Sequence, residues 1–198
     1  MVGRIIARPF VGAPGAFRRT DNRRDFSYPL PAPTVLDRLT EAGMPVVAVG
    51  KIDDIFAQRG ITRSLHNESN REAERELLAL AQGFDHGLVF ANLVDFDMLY
   101  GHRRDPAGYA RALAEADGVI GRLASLLRPD DVLILTADHG NDPTFRGTDH
   151  TREFVPLLCL RPGQAKRALG IRSGFYDVAQ SLAAFFGIAP MPRGRAFV

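Results

Sequence analysis

The sequence predicts an α/β protein with a mainly parallel sheet flanked by helices on both faces. Two observations carry this reading: segments of helical period alternate with short, continuous apolar runs, and two groups of aspartate and histidine each lie directly after such a run. A strand buried on both faces reads as an unbroken apolar run, and ligands gather at the carboxyl ends of parallel strands. The groups are Asp95, Asp97 and His102 after LVFANLV, and Asp138, His139, Asp149 and His150 after VLILT.

Taken in order, residues 1–28 are rich in glycine, arginine and aromatics, with a strand expected at about Arg4 to Ala7 and an irregular segment after it. The chain begins without the polar lead-in that usually precedes a first element, which reads as a fragment of something larger. Three prolines within Pro29 to Pro33 disfavour both helix and sheet pairing, so residues 29–33 are read as a linker and residues 34–198 as the main body. Thr34 can cap a helix carrying Leu36, Leu39 and Ala42 and closed by Gly43, and Pro45 to Gly50 follows as a buried strand. A short helix is expected over Asp53 to Gln58, a longer one over Asn70 to Ala81, and a strand over Leu88 to Val94. Pro106 suits the first turn of a long helix running to Leu127. Strands over Val132 to Thr136 and Val155 to Leu160, then a helix from Phe175 to Phe186 ending at Gly187, complete the set.

Composition narrows the function. The 198 residues are 45% hydrophobic, enough for a substantial core, and the formal net charge is only +2. Arg18, Arg19, Arg23 and Arg24 cluster locally and form no long basic tract, so nucleic-acid binding is not favoured. There is no run of 18 apolar residues and no signal-peptide pattern, which argues against a membrane role. The single cysteine, Cys159, excludes an internal disulfide and fits a buried small side chain in a reducing cytoplasm.

The two acidic-histidine groups are the chemistry-bearing feature. Asp97 and His102 stand five residues apart, out of phase for one α-helical face but able to converge from a loop. Asp138 and His139 are adjacent at a strand end, where neighbouring side chains splay apart, and His150 follows in a Gly-Thr-Asp-His turn. Carboxylate and neutral imidazole suit divalent ions such as Zn²⁺ or Mn²⁺, and the lack of thiolates argues against a structural zinc knot. A paired-metal phosphoryl-transfer site is the sharp expectation. The plain alternative for each residue alone is a helix cap or a surface group; His66 and His86 are read as surface residues on that basis.

The strings GRIIARPFVG, PTVLDRLTEAG, VGKIDDIF, NLVDFDMLYGHRRDPAGYARAL and ADHGNDPTFRGTDHTREFVPLL resemble, in order, the phosphopentomutase family of the alkaline phosphatase superfamily. The resemblance implies an alkaline phosphatase-like core over residues 34–198 and a remnant of a cap domain over residues 1–28. It implies that Asp97, His102 and His150 hold one Mn²⁺, that Asp138 and His139 hold a second, and that Arg4 and Lys51 hold the sugar phosphate. Lys51 is one of two lysines in the chain and follows a buried strand. Implied substrates are ribose 5-phosphate and ribose 1-phosphate, or the deoxyribose pair, in a cytoplasmic isomerase.

The departure from the family is its N-terminal half, which supplies an Asp-x-x-Gly metal ligand and a phosphoryl-carrying threonine. Neither is found here, so the expectation is a C-terminal half that is inactive alone, binds one ion or none, and self-associates through uncovered sheet edges. Competing readings are a metal-dependent phosphoesterase, a cofactor-independent phosphoglycerate mutase-like protein, or a non-catalytic metal-binding remnant.

Overall fold

The computed structural model describes residues 4–20, 22 and 24–198, with the side chains of Arg4, Arg19 and Asp25 outside the described set. It begins with an antiparallel ribbon. Strand β1 (Arg4–Ala7) pairs with β4 (Arg24–Ser27), and β2 (Phe10–Val11) pairs with β3 (Arg18–Arg19). The segment expected to be irregular after Ala7 is therefore half of a hairpin. Its reversal is made at Gly12, where φ is +116° and a Cβ would lie 2.4 Å from the carbonyl oxygen of Ala16, and Phe10 packs edge-on against Phe17 beside it. The ribbon leans on the body where Ser27 Oγ donates to the Asp54 carbonyl at 2.9 Å.

Helix α1 (Val35–Glu41) is fixed at both ends by its sequence. Thr34 Oγ1 accepts from the Asp37 N–H, and Asp37 Oδ2 accepts from the Thr34 N–H at 2.6 Å, a reciprocal capping box. At the other end Gly43, with φ +77°, closes the helix through its own bond to Thr40 and the bond from Met44 N–H to the Leu39 carbonyl.

Strand β5 (Val46–Val49) is the centre of a three-stranded parallel sheet, between β6 (Arg63–Leu65) and β7 (Leu88–Ala91). All four β5 residues are buried. Period-two alternation divides them: Val46 packs with Leu36 and Leu39 of α1, and Val47 and Val49 face Ala73 and Leu80 of α3 (Asn70–Gly83). The β7 neighbours alternate likewise, Leu88 and Phe90 on the α1 side, Val89 and Ala91 on the α3 side. Helix α5 (Tyr176–Phe185) joins α1 through Ala179 and Leu182, so the sheet is covered on both faces as the sequence predicts.

Of three further details, two differ from the sequence expectations. Helix α2 (Ile52–Ile55) is shorter than expected, because Ala57 and Gln58 both turn left-handed at φ 50° and 61°. The long helix α4 (Pro106–Leu126) packs on α3 and starts where expected, with Asp105 accepting from the Gly108 N–H at 2.8 Å. Strand β8 (Leu133–Thr136) pairs antiparallel with β9 (Leu157–Leu160), so the parallel part of the fold is confined to β5, β6 and β7 among the described residues. The segment between β8 and β9 doubles back on itself, which an antiparallel pair allows without a crossover helix.

Candidate metal centre

The carboxyl end of β7 leads through Val94 and Asp95 into a π-turn, Phe96–Gly101. Here the His102 N–H donates to the Asp97 carbonyl at 3.1 Å, a bond spanning five residues. A five-residue spacing that misses one face of an α-helix thus falls on one face of this turn, and the loop geometry expected for Asp97 and His102 is corrected accordingly. His102 Nε2 lies 3.3 Å from Asp97 Oδ1.

The turn is anchored from two sides. Asp95 is buried and exchanges hydrogen bonds with Asn70, its N–H donating to Asn70 Oδ1 at 2.9 Å and its Oδ2 accepting the Asn70 N–H at 2.8 Å. This ties the start of α3 to the entry of the turn. Phe96 packs against Tyr109 of α4, with ring centroids 5.4 Å apart.

The segment after β8 supplies the other side of the centre. Its two limbs are joined by the Thr151 N–H to the Gly140 carbonyl at 3.0 Å and by the Asp142 N–H to Thr151 Oγ1 at 2.9 Å. Thr151 Oγ1 in turn donates to Glu153 Oε1 at 2.6 Å, and the Glu153 carboxylate lies over Gly140, where a Cβ would come within 2.4 Å of it. The result sets His139 and His150 ring on ring, with centroids 3.6 Å apart at 14°. His150 Nε2 is 3.3 Å from Asp97 Oδ1, and ligand atoms of Asp97, His139 and His150 all lie within 4.8 Å of one another. A cleft of about 520 Å³ opens here, lined by His102, His139, Asp149, His150, Thr151 and Arg152.

The protonation pattern fits a cation. His102 Nδ1 faces the Thr148 carbonyl and His139 Nδ1 faces the Gly140 carbonyl at 3.2 Å. A carbonyl only accepts, so each Nδ1 carries a proton and, in the neutral ring, the Nε2 lone pair of His102 faces Asp97 and that of His139 faces Asp138. Two lone-pair atoms, His102 Nε2 and Asp97 Oδ1, at 3.3 Å have no proton to share unless the ring is charged. A divalent ion reconciles them. Burial first, then the charges of Glu153, Asp97 and Asp142, push the Tyr109 phenol above its ordinary range; the three carboxylates, unlike the burial, also favour a nearby cation.

Of the residues singled out from sequence, Asp97, His102, His139 and His150 are brought together. The trio within mutual reach of one ion mixes residues that the resemblance divides between two. Asp138 stands at the outer side, its carboxylate 68% exposed with Oδ2 3.5 Å from His139 Nε2. Lys51 follows β5, and its Nζ lies 2.7 Å from Met98 Sδ on the π-turn. The Arg4 side chain lies outside the described residues; its backbone pairs with Ser27.

Sequence reasoning missed Asn141, whose Nδ2 donates to Asp97 Oδ1. It reaches there across Gly101, where a Cβ would meet the Asn141 carboxamide at 2.3 Å. Thr148, Thr151 and Glu153 were also given no role, although all lie within the GTDHTRE string that marked the stretch as distinctive.

Imidazoles and a carboxylate gathered from the segment after β7 of the helix-covered parallel sheet and the segment after β8 of the antiparallel pair define a metal-binding α/β fold. The chain belongs to the metalloenzyme superfamily, whose model matches residues 31–190. It is 57% identical over 187 residues to a phosphopentomutase of Anaeromyxobacter sp. (strain K), covering 94% of this chain and 48% of the relative. It is 53% identical over 199 residues to a phosphopentomutase of Sinorhizobium medicae (strain WSM419), covering 100% and 49%. The chain thus spans about half the length of the curated relatives it matches. Among solved structures, a phosphoglycerate mutase of Leishmania mexicana at low cobalt concentration shares the fold with TM-score 0.62 at 17% identity, covering 81% of this chain and 38% of that one. The PH0037 protein of Pyrococcus horikoshii gives TM-score 0.55 at 18% identity, covering 74% and 46%. Among the described residues no helix is long and apolar enough to cross a membrane.

Proposed function

We propose that this chain carries most of the metal-ligand set of a manganese-dependent phosphopentomutase, a cytoplasmic isomerase that interconverts the 1- and 5-phosphates of ribose or deoxyribose. The observation that carries the reading is the meeting of Asp97, His102, His139 and His150, with acceptor atoms facing one another, in a chain that resembles phosphopentomutases over its whole length. Asp97, His102 and His150 are assigned to one ion, Asp138 and His139 to a second. When bound, such ions neutralise phosphate charge and acidify an attacking oxygen.

The chain's own residues do the rest. Thr148 and Gly140 fix the two imidazole tautomers, Asn141 orients the Asp97 carboxylate, and Lys51 with Arg4 holds the phosphate of the sugar. Residues 1–28 belong to a cap domain and residues 34–198 to the core, joined by the 29–33 linker. The 198 residues lack the aspartate ligand and the threonine phosphoryl carrier that the resemblance calls for, so the polypeptide alone is inactive and its uncovered strand edges favour self-association.

Calorimetric titration with Mn²⁺ tests the assignment. Asp97→Asn and His150→Ala should each abolish one site or weaken it by at least about tenfold, whereas unchanged binding in both would remove this centre from the function. Interconversion of ribose phosphates by the purified chain alone would refute the predicted inactivity. Run on the product of the whole gene, a substrate panel including phosphoglycerate separates the pentose reading from the phosphoglycerate mutase-like and phosphoesterase alternatives.

A further inference from the structure

The last part of the chain is charged unlike the rest. Residues 157–198 hold six basic side chains, Arg161, Lys166, Arg167, Arg172, Arg193 and Arg195, against one acid, Asp177, a local balance of +5 in a chain whose formal charge is +2. Three of the six line one cleft of about 580 Å³, together with Ser173, Tyr176 and Asp177. This cleft shares no residue with the one at the metal centre.

The hydrogen bonds already made there show what is left for a ligand. Asp177 is buried, and both its oxygens are occupied within the fold, Oδ1 by the Arg195 N–H and Oδ2 by Arg172. Arg172 donates from Nε to the Leu169 carbonyl and from Nη1 to Asp177 and to the Arg195 carbonyl, which engages three of its five N–H groups. Its guanidinium lies 5.3 Å over the Phe197 ring and its side chain is only 20% exposed, so it is fixed and largely dehydrated. Its Nη2 has no acceptor among the described residues. Arg167 uses Nη2 alone, on the Phe197 carbonyl, and the Arg195 guanidinium has no acceptor among the described residues. Ser173 and Tyr176 stand hydroxyl to hydroxyl at 3.1 Å; one donates to the other, and the second proton remains for a ligand.

We propose that this cleft is a metal-independent binding site for a phosphate monoester. Three guanidiniums against one carboxylate leave +2, which balances a phosphate monoester, at about −1.5 to −2 near neutral pH, better than it balances a carboxylate. The planar fork of arginine suits phosphate oxygens, and the spare hydroxyl adds a donor. The cleft is larger than a phosphate ion needs, and Leu169 and the exposed Ile171 line it too, so an apolar or aromatic group on the ester has a wall to lie against. None of these residues is assigned to the metals or to the sugar phosphate, so the site stands apart from the phosphoryl-transfer reading.

The test is calorimetric titration of the metal-free chain at constant ionic strength with phenyl phosphate, inorganic phosphate and benzoate. Phenyl phosphate should bind at one site and more tightly than the other two. Arg195→Gln keeps the backbone N–H that Asp177 accepts, so the local fold is retained, and it should weaken phenyl phosphate roughly five- to tenfold. Arg167→Gln should do likewise. Arg193→Gln removes an equal charge from the same segment but from outside the cleft, and should change the dissociation constant less than about twofold. No binding by the wild-type chain, or unchanged binding in Arg195→Gln, would overturn the site. Equal losses in Arg193→Gln and Arg195→Gln would overturn it too, because they mark diffuse attraction to a basic surface. Inorganic phosphate binding as tightly as phenyl phosphate would overturn the ester in favour of the free ion. Because metal is absent throughout, failure of the Mn²⁺ assignment leaves these readouts in force.

Discussion

At Gly101 the lack of a side chain is what lets Asn141 reach Asp97. Gly101→Ala should push the carboxamide aside and lower Mn²⁺ affinity about 10- to 100-fold, the usual effect of losing a residue that orients a ligand. Asn141→Ala should do the same, and the double variant should be no worse than either single one, because both remove one interaction. Additive losses in a Mn²⁺ titration would count against this coupling. The residues gathered at the candidate centre were legible, since aspartate and histidine after apolar runs have few other uses in combination. Asn141 and Gly101 were not: an amide and a glycine carry no donor signature, and the Asn141 contact to Asp97 spans 44 positions of sequence. His66 was legible as exposed, but its partner, Asp53, depends on the parallel pairing of β5 with β6, which residue type does not announce.

Among the elements, helices were read well because their ends are written in local chemistry. Thr34→Ala removes the capping hydroxyl of α1 and should cost about 1 kcal/mol in denaturant unfolding. Truncating Leu39, which is fully buried between helix and sheet, should cost about 2–5 kcal/mol. Between α3 and α4, burial first and then the Glu115 charge raise the Glu74 carboxyl above its ordinary range. An acid whose folded pKa is raised penalises the folded state once pH exceeds the unfolded value near 4.3. Glu74→Gln should therefore raise the melting temperature at pH 7, and the gain should vanish below about pH 4; an equal gain at both pH values would contradict that origin. Strand β6 escaped notice because Arg63 and Ser64 are exposed on a sheet edge, where no apolar run is needed. The π-turn escaped because a five-residue repeat has no place in a 3.6-residue period.

For the molecule as a whole, alternation of apolar runs and helices was enough to reveal a sheet covered on both faces. Strand direction was not, because an apolar run reads alike either way, and β8 and β9 are antiparallel. The C-terminal segment is strapped over α5 by Asp177, whose carboxylate accepts from the Arg195 N–H at 2.9 Å and from Arg172 Nη1 at 3.2 Å. The Arg195 N–H foremost, with the Arg172 guanidinium, holds this carboxyl below its usual range. A depressed acid adds stability that is complete above the unfolded pKa near 4 and is lost as pH falls through the lower folded value. Asp177→Asn should lower stability at neutral pH and flatten the acid limb of the unfolding profile below about pH 4, measured by thermal melts across pH. Strand β9, finally, carries the chain's one thiol, half-buried at Cys159 and pushed by burial above its ordinary pKa. Little thiolate forms at neutral pH, and alkylation is favoured when the strand lifts from β8. The molecule thus holds its own stopwatch: the labelling rate of an unmodified chain records how often that pair comes apart, and whether anything bound over it slows the clock.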